Sequence, residues 1–281
     1  MSALVQAADL LREVTGPHPP LLLDVRWSLQ GPDRAGHETG HLPGAVFCDL
    51  DADLASPSGE GGRHPLPTSE QLVQTLQRLG IDAKRDVVVY DGGNASPAAR
   101  AWWCLRWAGH DRVRVLDGGL LAWVAAGGEL QSGDVAPTPS NAAQVRLGQL
   151  PTVAADDVAQ ARAGVLLDVR TAARYRGDVE PIDPVAGHIP GAVSCPVGAV
   201  MADDGRYLPP ERLRSVLAPV LPASSPSPAE GTPAVTAYCG SGVTAAQMVL
   251  ALHEAGIEAA LYPGSWSEWI RDPSRPVATG G

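Results

Sequence analysis

The chain has 281 residues, a length comfortable for two domains of about 130–140 residues each. At 44% hydrophobic and 19% charged it has a globular composition, which excludes a disordered tail protein. A formal net charge of −10 with no basic run argues against nucleic acid or an anionic membrane as partner, and no apolar run reaches the roughly 18 residues of a spanning helix. In chain order, residues 1–14 lack the basic and apolar segments of a secretion signal. They read as a short amphipathic helix with Leu4, Leu10, Leu11 and Val14 on one side. Short apolar strands are expected at 21–25, 45–47, 87–91 and 113–116, with helices near 68–80, 96–109 and 119–127. Ser96 and Pro97 read as the N-cap and first residue of the middle helix. The polar, proline-punctuated stretch from Ser132 to Asn141 marks a linker, so the expected division is 1–131, a connection at 132–150, and 151–281. Beyond it strands are expected at 165–169, 192–195, 234–238 and 259–262, and helices near 152–162, 209–218, 243–256 and 265–270. The proline- and serine-rich stretch from Pro222 to Pro233 reads as a surface loop. Strands alternating with helices predict an α/β fold, each half a mostly parallel sheet with helices on both faces.

The two halves repeat one another. Leu22-Leu23-Asp24-Val25-Arg26, Gly40-His41-Leu42-Pro43-Gly44-Ala45-Val46 and Gly118 with Trp123 each recur about 145 residues later, in the same order. Their counterparts are Leu166-Leu167-Asp168-Val169-Arg170, Gly187-His188-Ile189-Pro190-Gly191-Ala192-Val193 and Gly264 with Trp269. The chain is a tandem duplication, and positions where the copies differ point to chemistry.

The clearest difference follows the strand ending at Tyr90 or Tyr238. The first copy continues Asp91-Gly92-Gly93-Asn94-Ala95, the second Cys239-Gly240-Ser241-Gly242-Val243-Thr244. A cysteine at the carboxyl end of a buried strand, followed by a glycine-rich turn into a helix, stands where open α/β sheets bind ligands. The N–H groups of such a turn form a cradle that favours anionic sulfur. Cys239 is therefore the expected nucleophile. Cys104, in a tryptophan-rich helix, and Cys48 and Cys195, ending short apolar segments, read as structural. The absence of a CxxC pair argues against zinc or a thioredoxin motif, and four unpaired thiols fit a reducing, cytoplasmic setting. Lysine occurs once, at Lys84, which leaves little room for Schiff-base chemistry. Cysteine phosphatases carry an arginine after five intervening residues to grip phosphate; here that position is Ala245.

With these motifs, and the closing Tyr262-Pro263-Gly264-Ser265-Trp266-Ser267-Glu268-Trp269, the chain resembles the two-domain rhodanese sulfurtransferases along essentially its whole length. The resemblance implies two rhodanese-like domains, the first catalytically silent with Asp91 in the cysteine's place. It implies transfer of a sulfane sulfur through a Cys239 persulfide, with no metal or organic cofactor. Family members that prefer thiosulfate resemble Cys-Arg-Lys-Gly-Val-Thr; Cys-Gly-Ser-Gly-Val-Thr resembles those that prefer 3-mercaptopyruvate. By that likeness Arg174 holds the donor carboxylate, Gly240, Gly242, Val243 and Thr244 line the sulfur site, and Ser241 works in a relay with His64 and Asp51. The family's second substrate arginine has no counterpart between Asp178 and Ala186. Ser56 to Arg63, rich in glycine, reads as a mobile loop, and His41 and His188, present in both copies, as structural. The expected partners are a small anionic sulfur donor and a thiol acceptor such as thioredoxin or a small thiol, with cyanide an assay acceptor. The alternatives are a thiosulfate sulfurtransferase with the same nucleophile, and a non-catalytic module that carries or senses sulfur.

Overall fold

The computed structural model describes residues 2–221 and 233–281; positions 222–232, and with them the expected proline-serine surface loop, lie outside the described residues. Two compact units are present. One comprises Met1–Ser56, Leu66–Leu150 and Asp203–Tyr207; the other comprises Pro57–Pro65, Pro151–Ala202 and Leu208–Gly281. Each half of the chain thus contributes a short segment to the other half's unit. Residues 132–150 run along the first unit, where Ser140 N donates to Gln77 O (2.8 Å) and Arg146 N to Ala108 O (2.9 Å).

The first unit holds strands β1 (Leu4–Val5), β2 (Leu21–Asp24), β3 (Trp27–Ser28), β4 (Gly31–Pro32), β5 (Val46–Phe47), β6 (Val87–Tyr90) and β7 (Val113–Leu116). Its helices are α1 (Ala7–Val14), α2 (Arg34–Thr39), α3 (Leu50–Asp53), α4 (Ser69–Leu79), α5 (Ser96–Trp107) and α6 (Gly119–Ala125). The main sheet runs β1-β7-β6-β2-β5 with every pairing parallel, and β3 and β4 form a separate antiparallel hairpin.

The second unit holds β8 (Val165–Asp168), β9 (Val193–Ser194), β10 (Val235–Tyr238) and β11 (Ala260–Leu261), paired in parallel in the order β11-β10-β8-β9. Its helices are α7 (Ala155–Ala159), α8 (Ala172–Arg176), α9 (Pro210–Leu217), α10 (Val243–Glu254) and α11 (Ser265–Trp269). A parallel bridge of Thr152 to Leu261 stands where β1 pairs with β7 in the first copy. The central strands β6 and β10 are buried along their whole length, as parallel strands covered on both faces must be, and hence read as unbroken apolar runs. No described helix is long and apolar enough to cross a membrane.

The repeated motifs meet in one buried network per unit. Asp24 pairs in register with Tyr90, and Asp168 with Tyr238. Each tyrosine hydroxyl donates to its aspartate (3.0 and 2.6 Å) and accepts from the backbone N–H of Leu42 or Ile189. Arg26 and Arg170 bind the same aspartates and reach across to Gly40 O (2.8 Å) and Gly187 O (2.6 Å). The Asp-Val-Arg and Gly-His-x-Pro-Gly repeats are therefore two ends of one clasp. His41 and His188 serve it by hydrogen-bonding the carbonyls of His37 and Tyr175.

Two local expectations change. Leu4 lies in β1, paired with Val115, and the helix starts only at Ala7. The N-cap of α5 is Ala95, left-handed at φ 62°, so Ser96 is the first helical residue. The carboxylate of Asp91 does the capping instead, accepting from Ala95 N and Ala98 N.

One pH dependence follows in the first unit. His37 is fully buried and hydrogen-bonded to Asp24 (2.9 Å), yet burial outweighs that pairing and holds its pKa below the usual histidine value; burial does the same to His110. Asp24, Arg26, His41 and the ring of Phe47 face His37. The unfolded chain then takes up the proton more readily. The stabilisation is complete above the unfolded value of about 6.5 and is lost as pH falls toward the folded values. The melting temperature should drop between pH 7.5 and 5.5, and His37→Gln should reduce that slope; an unchanged slope refutes the assignment.

Candidate active site

Cys239 follows β10 directly and is buried, at 3% exposure. The turn after it brings Gly242 N–H to 3.1 Å from the cysteine Sγ. Gly242 sits at φ 81°, a left-handed conformation that favours glycine, and caps α10, whose first residues are Val243 and Thr244. Strand end, glycine turn and helix start therefore converge on one sulfur atom. Behind the loop, Ser265 takes φ 54°, an uncommon conformation for a residue with a side chain. The strain places its hydroxyl to accept from Cys239 N (3.1 Å) and donate to Tyr262 O (2.9 Å). Trp266 N and Ser267 N donate to the carbonyls of Cys239 and Gly240, so α11 clamps the loop from below.

The first copy shows which group its own loop holds. Asp91 is buried and its carboxylate accepts from Gly93 N (2.8 Å), Ala95 N (3.2 Å) and Ala98 N (3.1 Å). Burial pushes the Asp91 carboxyl up, and these three bonds pull the other way. A carboxyl group on the residue itself fills the first cradle; in the second the residue is a cysteine. The remaining cysteines are chemically quiet. Burial raises the thiols of Cys48 and Cys104 and pushes Cys195 up to about 11.

The second unit also holds the segment 57–65, which takes in most of the Ser56–Arg63 stretch expected to be a mobile loop. It is a tight turn. Gly59 and Gly62 exchange two backbone hydrogen bonds of 3.0 Å, and Arg63 N donates to Ser267 Oγ (3.1 Å). Gly62, at φ +97°, lies so close that an added methyl group would come within 2.8 Å of Gly264 O and Ser267 Oγ. Glycine here serves close packing, not freedom. The turn sets His64 Nδ1 2.8 Å from Ser241 Oγ, within the cysteine loop. Asp51, the third member expected in that relay, lies in α3 of the first unit, where its carboxylate accepts from the indole N–H of Trp27 (2.9 Å).

Arg174, on the short helix α8, faces the loop from the other side. Glu180 grips its Nε and Nη2 (3.0 and 2.7 Å), and Asp183 accepts from Nη2 (3.1 Å). Hydrogen bonding to Arg174 and to backbone N–H groups keeps the Glu180 carboxyl below its ordinary value, although burial is the largest single influence and opposes this. The sequence reading missed Arg63, whose Nη1 pairs with the other oxygen of Asp183. A methyl group on Gly240 would lie 2.7 Å from Arg63 Nη2 and 3.7 Å from Nη1 and Nη2 of Arg174. Arg63, Glu180 and Asp183 belong to no motif, while Ser265 and Ser267 stand in the closing motif without having been singled out. Only the internal comparison with the unlike copy gave a signal near them.

A family model described as "Rhodanese-like domain" matches the chain twice, over residues 6–126 and 152–272. A putative thiosulfate sulfurtransferase of Mycobacterium tuberculosis is 47% identical over 99% of this chain and 97% of its own length. A probable 3-mercaptopyruvate sulfurtransferase of Pseudomonas aeruginosa is 46% identical over 99% of this chain and 98% of its own. Among solved structures, the 3-mercaptopyruvate sulfurtransferase of Leishmania major superposes with a TM-score of 0.81 at 28% identity, covering 97% of this chain and 76% of that one.

Proposed function

The chain belongs to the rhodanese family as a tandem two-domain sulfurtransferase, and from that premise we propose that it draws sulfur from 3-mercaptopyruvate through Cys239. The relatives of nearly equal similarity bear names with different donors, so the choice rests on the site. The observation that carries it is the hydrogen bond of His64 to Ser241 beside the nucleophile. A carbon leaving group needs a proton, whereas sulfite leaves thiosulfate without one.

In the proposed cycle the Cys239 thiolate attacks the donor thiol sulfur while the carbon–sulfur bond breaks, and the bonding pair passes into the enolate of pyruvate. The proton of the donor thiol moves through Ser241 and His64 to the enolate carbon. The products are pyruvate and a Cys239 persulfide anion, so atoms and charge balance without any outside reagent. The N–H of Gly242 and the start of α10 hold the anionic sulfur, and Arg174 orients the carboxylate. An acceptor thiol, from a small molecule or a thioredoxin-like protein, then takes the outer sulfur; cyanide does so in an assay, leaving as thiocyanate. The reaction is assigned to the cytoplasm, where thiols stay reduced.

The test compares kcat/KM for the two donors on one preparation. The native chain should prefer 3-mercaptopyruvate. His64→Gln should lower kcat for it by about 10²-fold, with a much smaller loss for thiosulfate. Preference for thiosulfate in the native chain favours the second donor, and silence with both favours a sulfur-carrying module.

A further inference from the structure

We infer that Arg63 is the second substrate cation of this site, and that with Arg174 it forms a split clamp, bridged by Asp183, for the carboxylate of a monoanionic α-keto acid. The inference rests on the donor reading above and adds a residue to it. Between Asp178 and Ala186, where a second arginine would follow Arg174 in the chain, there is none. The structure supplies one from the turn 57–65 instead. Asp183, whose side chain is only 3% exposed, spans the two guanidinium groups with one oxygen toward each. That bridge takes Nη1 of Arg63 and Nη2 of Arg174. Arg63 Nη2 and Arg174 Nη1 then lie within 4 Å of one point above Gly240, next to the nucleophile. A carboxylate lying over the Gly240 backbone, outside the place its Cβ would take, receives a donor from each arginine. The turn's geometry holds Arg63 there, because its backbone N–H is bonded to Ser267 and Gly62 admits no side chain.

Charge decides which anion this clamp prefers. Arg63 and Arg174 are balanced by Asp183 and Glu180, so the cluster is neutral before a donor arrives. A monoanion meets hydrogen-bond donors without net repulsion, while a dianion gains no net positive field to offset its second charge. Without Arg63 the remaining Arg174, Asp183 and Glu180 carry a net negative charge, which repels any anionic donor. Gly240 belongs to the same design, since a side chain at that position would displace the Arg63 guanidinium. The family's arginine-bearing loops place a cation on that residue; here the cation arrives from a different segment.

The experiment uses the full-length chain with Arg63→Gln and Arg63→Lys. Two measurements are made. One is turnover with 3-mercaptopyruvate and with an uncharged donor, bis(2-hydroxyethyl) trisulfide. The other is protection of Cys239 from iodoacetamide by pyruvate, which reads carboxylate binding without any turnover. Arg63→Gln should raise KM for 3-mercaptopyruvate and the half-protecting pyruvate concentration about 10- to 100-fold, with at most about a threefold fall in kcat. The loss with the trisulfide should be within about threefold, and Arg63→Lys should recover part of the affinity by restoring the charge without the fork. Unchanged KM and protection in Arg63→Gln overturn the proposal, as does an equal loss with both donors, which marks a purely structural role, or a native chain that pyruvate does not protect. If the native chain ignores 3-mercaptopyruvate while pyruvate protection still depends on Arg63, the donor reading falls and the clamp stands.

Discussion

Cys239→Ser should abolish sulfur loading. Incubated with 3-mercaptopyruvate, the native chain should gain the mass of one sulfur atom and lose it on addition of cyanide. The serine variant should gain nothing, and its turnover should fall by more than about 10³-fold. The reason lies in the atoms around the thiol. One backbone N–H, from Gly242, is aimed at the sulfur, and the start of α10 adds its partial positive charge. A hydroxyl at that point stays protonated and forms no bond to sulfur that an acceptor thiol then resolves. Cys48→Ser and Cys195→Ser serve as controls and should still load, since burial keeps both thiols protonated in the native chain. A sulfur adduct on Cys239→Ser would sink the mechanism.

The largest effect on stability is expected from Arg170→Met. The Arg170 side chain is 2% exposed and holds Asp168, Glu180 and the carbonyl of Gly187 together, with its guanidinium 4.7 Å above the ring of Trp266. Removing it leaves the carboxylate of Asp168 buried with the Tyr238 hydroxyl but without its cation, a loss of about 3–5 kcal/mol. The twin substitution Arg26→Met should cost less. Arg26 remains 10% exposed, and its bonds go to one carboxylate and one carbonyl, with no second carboxylate corresponding to Glu180. The two units provide their own reporters. Alkylation of Cys195 during a urea titration follows the second unit, and that of Cys48 and Cys104 the first. Arg170→Met should move the alkylation of Cys195 to lower urea by more than that of Cys48 and Cys104. A shift no larger than that of Arg26→Met would show that Glu180 and Trp266 add nothing to the clasp.

How far the sequence reveals this molecule depends on whether a feature has a period. The eight strands expected from apolar runs are present, with ends trimmed by a residue or two, because a parallel strand buried on both faces has no polar side to disguise it. The helices α4, α5 and α10 are equally plain, and in the structure the first is closed by a capping box of Thr68 and Gln71. The four- to six-residue helices α2, α3 and α8 are too short for a helical period, and β1 shows only two residues. In the candidate site, Cys239 was legible because two copies of one loop differ there, and Ser241 through the family resemblance of that loop. Arg63 was not. It precedes a histidine that drew the attention, in a turn whose glycines suggest looseness, and contacts between residues 63, 183 and 240 have no signature along the chain. The same lack of local signal hides the positive φ of Ser265, which only the close approach of α11 to the cysteine loop explains.

The exchange of segments between the units has a bearing on how such a gene evolves. The first copy has Asp91 where the second has Cys239, and a redundant copy is ordinarily free to erode. Here it encodes the turn 57–65, which folds as part of the second unit and carries both the histidine bonded to Ser241 and the arginine beside Gly240. A reading frame trimmed to the cysteine-bearing half would express the thiol without either. In the proposed cycle catalysis therefore depends on the apparently idle copy as well, which ties the two halves together in one chain.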